Sequence, residues 1–151
     1  MATTRQRDEG GAAIETKAIG YWASTSILAL EALVGGVVGL TNGREMVVAG
    51  TPIDDVMAHL GYPVYFARIL GIWEVLAGIA LLAPRLPRLK EWAYAGIFFN
   101  MTGAAASRAV RGDDVSHIVA PLVFAGLAVA SWALRPESRS LGVLSPAEKR
   151  A

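Results

Sequence analysis

Four long apolar runs, separated by short polar segments, dominate the chain and cover roughly residues 19–41, 62–83, 91–108 and 117–134. A helix needs about 20 mainly apolar residues to cross a bilayer, and the runs are close to that length. A soluble four-helix bundle is the alternative, but each of its helices would carry a charged stripe that these runs lack. Because the connections are short, consecutive helices should be antiparallel. The pattern therefore predicts an all-α fold, an integral membrane antiparallel four-helix bundle.

A shorter helix is predicted between the first two runs, in "TPIDDVMAHLG", residues 51–61. Thr51 can cap it, Pro52 suits its first position, Asp54 would complete a capping box, and Gly61 would end it. Apolar residues follow helical spacing and form one face: Ile53, Val56, Met57 and Leu60. We expect a short amphipathic helix at the membrane interface. Both a plain connector packed on the bundle and a functional lid stay open.

Composition excludes several classes of function. The 151 residues suffice for one domain, and 54% of them are hydrophobic. A net charge of +1 gives no basic field for nucleic acid. The absence of cysteine removes disulfides and thiolate metal sites. His59 and His117 are far apart and lack paired-ligand spacing, so no metal site is predicted.

The cations predict how the helices are oriented. The two terminal segments and the turn at 83–92 hold ten of the fourteen lysines and arginines, and the other two loops hold only Arg44, Arg108 and Arg111. Cytoplasmic loops of membrane proteins are enriched in these residues. We therefore predict a protein of a bacterial-type cytoplasmic membrane, with both termini cytoplasmic. Residues 1–18 and 137–151 are predicted to be mobile cytoplasmic tails around a transmembrane domain at 19–136.

Polar residues recur on the faces that carry glycine. The sets are Glu31, Gly35 and Gly39; Gly71, Glu74 and Gly78; and Gly96, Asn100, Gly103 and Ser107. Small residues let membrane helices approach closely, so these faces should point to neighbouring helices. A charged carboxylate that faced lipid would cost at least about 3 kcal/mol. Counting about 1.5 Å per residue brings Glu31, Glu74 and Asn100 near the midplane.

These three residues predict one polar pocket in the middle of the bilayer, with Glu31, Glu74 and Asn100 as catalytic groups. Arg68 could reach Glu31 across the bundle or extend outward to headgroups. The predicted substrate-binding residues are Arg68, Tyr62, Tyr65, Trp73, Phe99, Thr102, Ser107 and His117. The alternatives are a buried hydrogen-bond network that only fixes helix register and, for His117, a purely interfacial role.

Residues 59–108 carry a family resemblance in the segments "HLGYP", "LLAPRLPRLKEWAYAG" and "TGAAAS". They closely resemble the DoxX-like family of small four-helix membrane proteins. The family name comes from a subunit of a thiosulfate:quinone oxidoreductase, and most members have no assigned activity. Family members often carry lysine at the position of Glu74, aspartate at that of Asn100 and histidine at that of Arg108. The resemblance therefore implies that the pocket of this chain acts differently.

The sequence is compatible with three functions. Two carboxyl groups close together in a low-dielectric site can supply an acid and a base, which predicts an isomerase, cyclase or epoxide-opening enzyme acting on a small lipophilic substrate from the bilayer without a cofactor. The resemblance implies the second function, a quinone-binding or redox-complex subunit with partner chains. The third function is a non-catalytic membrane scaffold. A homo-oligomer is compatible with all three.

Overall fold

The fold is taken from a computed structural model that describes residues 2–41, 47–48, 51–136 and 139. Helices account for nearly all of this part of the chain. In chain order the elements are α1 (Ala2–Leu40), β1 (Val47–Val48), β2 (Thr51–Pro52), α2 (Ile53–Leu60), α3 (Val64–Leu82), α4 (Pro87–Arg111) and α5 (Val115–Ala133). The two short strands pair antiparallel, with Val48 opposite Thr51.

The four long helices cover the four apolar runs. Helix α1 begins at Ala2 and so includes most of the segment assigned to the N-terminal tail, while Arg44 and, apart from Arg139, residues 137–151 lie outside the described residues. Three helices of the described chain are long and apolar enough to cross a membrane: Glu15–Leu40 within α1, Val64–Leu82 and Val115–Ala133. Helix α4 is long enough but is the least apolar of the four.

Helix α2 ends as predicted but does not begin as predicted. Gly61 has the left-handed φ of 84° that favours glycine, and its N–H donates to the carbonyl of Ala58. The predicted capping box is wrong, because Pro52 occupies the cap position without a side-chain cap hydrogen bond. Thr51 instead pairs with β1. The apolar face of α2, with Met57 buried, packs on α3 and α4.

Helices α1 and α3 pack most closely, because glycine removes side chains at their crossing. A Cβ atom on Gly36 would stand 2.8 Å from the Gly71 carbonyl oxygen, and one on Gly39 would stand 2.7 Å from the Ala67 oxygen. The predicted small-residue contact is therefore confirmed for α1 and α3. Helix α1 also packs on α5, and α4 packs on both α3 and α5.

Near the end of α3 and the start of α4, several buried polar groups have hydrogen-bond partners. Lys90, which is 1% exposed, donates from Nζ to the Ala80 carbonyl at 2.8 Å and also to that of Leu81. These carbonyls lie in the last turn of α3 and have no partner further along the helix. Buried hydroxyls link three helices, since Ser131 Oγ lies 2.7 Å from Thr25 Oγ1 and 2.8 Å from Tyr94 Oη.

Candidate ligand-binding site between α3 and α4

Glu74 and Asn100 meet where α3 faces α4. Asn100 Nδ2 donates to Glu74 Oε1 at 2.7 Å, and both side chains are half-buried. The contact agrees with the prediction from the sequence, which places both residues near the middle of the bilayer. This hydrogen bond fixes the orientation of the Glu74 carboxyl group.

Glu31 approaches the same place from α1. A Cβ atom on Gly35 would stand 3.1 Å from Glu74 Oε2 and 3.5 Å from Glu31 Oε1. The two carboxyl groups therefore converge on the space that a larger residue at position 35 would fill. Oε2 of Glu31 is buried without a hydrogen-bond partner among the described residues. Glycine at position 35 thus lets two acidic side chains approach each other.

A cavity of about 830 Å³ lies between α3 and α4, with Glu74 and Asn100 in its wall and Met57 and Leu60 of α2 at one end. Most of its wall is aliphatic or aromatic. The cavity opens at the surface of the molecule, where Phe99 is 70% exposed. Its volume lies within the ordinary range of small-molecule sites, about 300–1,000 Å³. Glu31 is not part of the wall and stands behind Glu74.

The glycines of α4 create part of this space. The sequence predicts that Gly96 and Gly103 face a closely packed helix, as the glycines of α1 and α3 do. This prediction is wrong for α4, because a Cβ atom on either residue would meet nothing within 4 Å. Both glycines line the cavity instead. A stripe of small residues can therefore leave room for a ligand as readily as for a second helix.

A second polar pair lies nearer α2. Tyr62 Oη is 2.9 Å from Ser107 Oγ, and both residues line the cavity. The ring of Tyr62 stacks on Phe66 with centroids 5.2 Å apart, which fixes the position of the phenol. Ser107 Oγ also donates to the Gly103 carbonyl at 2.8 Å. The sequence places both residues among the substrate-binding groups but does not predict that they form a pair.

The other predicted binding residues divide between the cavity and its surroundings. Trp73 and Phe99 line the cavity. Tyr65 lies outside the wall and is 63% exposed, while the hydroxyl of Thr102 donates to the Phe98 carbonyl of its own helix. Arg68 Nη1 donates to the Val64 carbonyl, one turn back along α3.

His117 belongs to a different and more polar cavity of about 400 Å³, which His59 also lines. Here His59 Nε2 lies 2.5 Å from Asp113 Oδ1, and Arg108 Nη1 lies 2.9 Å from Asp113 Oδ2. The hydrogen bond with His59 and the Arg108 guanidinium hold the pKa of Asp113 below its ordinary value, against partial desolvation. This cluster fastens α2 to the turn between α4 and α5. Among the described residues, no group of three or more His, Asp or Glu side chains is placed to hold a metal ion.

Lys90 and the Thr25–Ser131–Tyr94 hydroxyls are polar groups whose roles the sequence does not reveal. From the sequence, Lys90 is one of the cations of the turn at 83–92. In the structure it is buried against the end of α3. A lysine a few residues after the end of an apolar helix is the available signal, since cations stabilise helix C-termini. Single hydroxyls within apolar helices give no comparable signal.

The DoxX-like family model matches residues 23–131, which include the C-terminal part of α1, all of α3 and α4, and most of α5. The chain belongs to the DoxX-like family. No curated protein and no solved structure matches this chain. Membership of the DoxX-like family, together with the three apolar helices, makes it a membrane protein. Glu74 and Asn100, where the resemblance implies lysine and aspartate in many DoxX-like proteins, form one of the polar contacts in the cavity wall.

Proposed function

We propose that this DoxX-like protein is a membrane-embedded acid–base catalyst that acts on a small lipophilic molecule in the α3–α4 cavity. One observation carries the proposal: the Glu74 carboxylate, oriented by Asn100, stands in the wall of a mainly apolar cavity of about 830 Å³. Ionisable groups within membrane helices are costly and are usually retained for function. An apolar cavity with few polar groups binds the body of a ligand and fixes its orientation.

The two carboxyl groups divide the chemistry. Glu31 and Glu74 converge on Gly35, and like charges at such a site favour a state in which one proton is shared. Because Glu31 stands behind Glu74 and does not line the cavity, Glu74 exchanges protons with the substrate directly, and Glu31 takes up or returns a proton through Glu74. Such a pair suits isomerisation, cyclisation or epoxide opening. Protein groups supply all of this chemistry without a cofactor. Asn100 holds Glu74 in position.

The proposal includes the arrangement in the membrane. We propose an antiparallel four-helix transmembrane bundle in which α4 also spans, with both termini on the cytoplasmic side. The chain has no cysteine, so Arg88→Cys and Arg111→Cys each introduce one label site, at opposite ends of α4. An impermeant maleimide should label only the Arg111→Cys variant in right-side-out vesicles and only the Arg88→Cys variant in inverted ones. Labelling of both variants from one side would contradict this arrangement.

The catalytic proposal is tested by solvent isotope exchange. The purified protein is incubated in D₂O and H₂¹⁸O with an extract of membrane lipids, without added metal or electron acceptor. We expect one lipid to gain deuterium or ¹⁸O, as measured by mass spectrometry. Glu74→Gln should reduce the rate at least about 100-fold, because general acid–base catalysis contributes that much or more. Glu15→Gln, an exposed carboxylate on α1, is the matched control and should leave the rate unchanged.

Two results would contradict acid–base catalysis. The first is that no lipid exchanges, or that exchange continues unchanged in Glu74→Gln. The second is that the protein purifies with a quinone or with partner chains and shows no activity alone. This second result would favour the redox subunit that the family name implies. A chain that tolerates Glu31→Gln and Glu74→Gln with every property intact would be a scaffold.

A further inference from the structure

The polar groups of the cavity lie at two levels along α4. Asn100 and Glu74 form the first level, and Ser107 and Tyr62 form the second. Ser107 is two helical turns beyond Asn100, a rise of about 10 Å toward α2. In the opposite direction the wall is aliphatic or aromatic, with Leu76, Ile79, Leu86, Leu89 and Trp92. A ligand that lies along the helices therefore meets a polar end, a reactive middle and an apolar end.

The direction of the hydrogen bonds at the second level determines which ligand group fits there. The Ser107 hydroxyl has one proton, and the Gly103 carbonyl accepts it. While Ser107 donates to Gly103, the phenol is the donor in the 2.9 Å contact with Ser107 Oγ. The phenol oxygen keeps its lone pairs and can only accept a further hydrogen bond. In this arrangement a ligand donor such as an alcohol matches the phenol oxygen, whereas a ketone, ester or ether oxygen would have to displace Ser107 from the phenol proton.

We propose that the substrate class is a linear lipophilic alcohol, a long-chain or isoprenoid alcohol, bound along α4 with its hydroxyl on Tyr62. This inference rests on the proposed function and specifies its substrate. The apolar tail extends past Asn100 toward Leu89 and Trp92. The group that reacts beside Glu74 then lies about 10 Å from the hydroxyl. It is an internal double bond or epoxide of the chain, and the hydroxyl itself does not react.

Tryptophan quenching by a matched pair of ligands tests this inference. Variants with Phe at three of the four tryptophan positions keep Trp92 or Trp73, which line the cavity at different levels. The probes are a long-chain primary alcohol and its methyl ether, both brominated at the far end of the chain. In the Trp92 protein we expect the alcohol to bind about fivefold more tightly than the ether, the effect of one hydrogen bond.

Removing the second level should abolish this preference. Tyr62→Phe combined with Ser107→Ala should bring the alcohol-to-ether ratio to about one, as expected when the hydrogen bond is lost. Tyr65→Phe combined with Ser116→Ala is the matched control, because both residues are exposed and outside the cavity wall. Position is tested with bromine next to the hydroxyl, which should quench Trp73 more than Trp92. Bromine at the far end should quench Trp92 more than Trp73.

The outcomes separate this inference from the proposed function. Equal binding of the alcohol and the ether, or the reverse order of quenching by bromine position, would overturn the inference. A Cβ atom at position 103 meets nothing within 4 Å, so Gly103→Leu places its side chain in the cavity and should abolish quenching by both probes. Quenching that persists in Gly103→Leu would instead contradict ligand binding in the cavity, and with it the proposed function.

Discussion

At the scale of single residues, the site depends on glycines, which leave space, as much as on its polar side chains. Gly35 leaves space in which Glu31 and Glu74 converge, and Gly96 and Gly103 leave space for a ligand. Each of these glycines lies inside a helix, where it costs about 1 kcal/mol relative to alanine. The glycines of α4 therefore contribute cavity volume that no larger residue at the same positions could provide.

The ion pairs of Asp113 give a pH dependence at this scale. The folded-state pKa of Asp113 is lower than its ordinary value of 3.8. The stability it provides is therefore complete above that value and is lost as the pH falls through the folded pKa. Asp113→Asn should lower the unfolding temperature at neutral pH, since it removes charge-assisted contacts with His59 and Arg108.

The measurement is the unfolding temperature of the two proteins in detergent as a function of pH. The difference between them should shrink below about pH 4. Asp114→Asn is the control, because Asp114 makes no side-chain cap hydrogen bond at the start of α5. A difference that grows on acidification, or one equally large for Asp114→Asn, would show that Asp113 does not fasten α2 in this way.

At the scale of elements, two helix pairs use glycine in opposite ways. Gly36 and Gly39 of α1 lie against the backbone of α3, so no side chain fits between these helices. Gly96 and Gly103 of α4 face open space. The α1–α3 pair is thus closely packed, and the cavity lies beside it between α3 and α4. Helix α2 covers one end of that cavity with Met57 and Leu60.

Adding one methyl group distinguishes these two uses of glycine. On Gly36, a Cβ would stand 2.8 Å from both the Gly71 oxygen and the Val75 backbone nitrogen. Gly36→Ala should therefore destabilise the fold by about 1–3 kcal/mol, because backbone cannot yield as a flexible side chain can. Gly126→Ala in α5 meets nothing within 4 Å and should be neutral or stabilising by up to about 1 kcal/mol. Equilibrium unfolding of both variants checks this, and equal stability would contradict the close α1–α3 contact.

Sequence patterns predict where the helices lie better than they predict the distances between packed helices. Apolar runs and turn residues such as Gly61 and Pro84 indicate where helices lie, because these signals are local. The glycine spacing of α1 and α3 also predicts their contact. The same spacing in α4 gave the wrong prediction, since the distance between two helices depends on all the side chains at their interface. Pairing of Tyr62 with Ser107 depends on that distance in the same way.

At the scale of the whole molecule, a membrane protein of one small domain places acidic groups beside an apolar cavity. Helix α4 is the least apolar of its long helices, and the face that carries Asn100 and Ser107 lines the cavity. The charged residues of α4 lie at its two ends, and Asn100 and Ser107 are its polar side chains in the cavity wall. Lys90 and Ser131 link the helices at the far end, where they stabilise the fold without entering the cavity.

Glu74 is central to this account, and a lipophilic carboxyl reagent tests its position directly. Dicyclohexylcarbodiimide partitions into membranes and modifies carboxyl groups that it can reach there, and peptide mass spectrometry locates the adduct. We predict modification at Glu74, little at Glu31 behind it, and strong protection of Glu74 in Gly103→Leu, where the cavity is filled. An unmodified Glu74, or equal modification in Gly103→Leu, would contradict a carboxyl group that faces a ligand cavity.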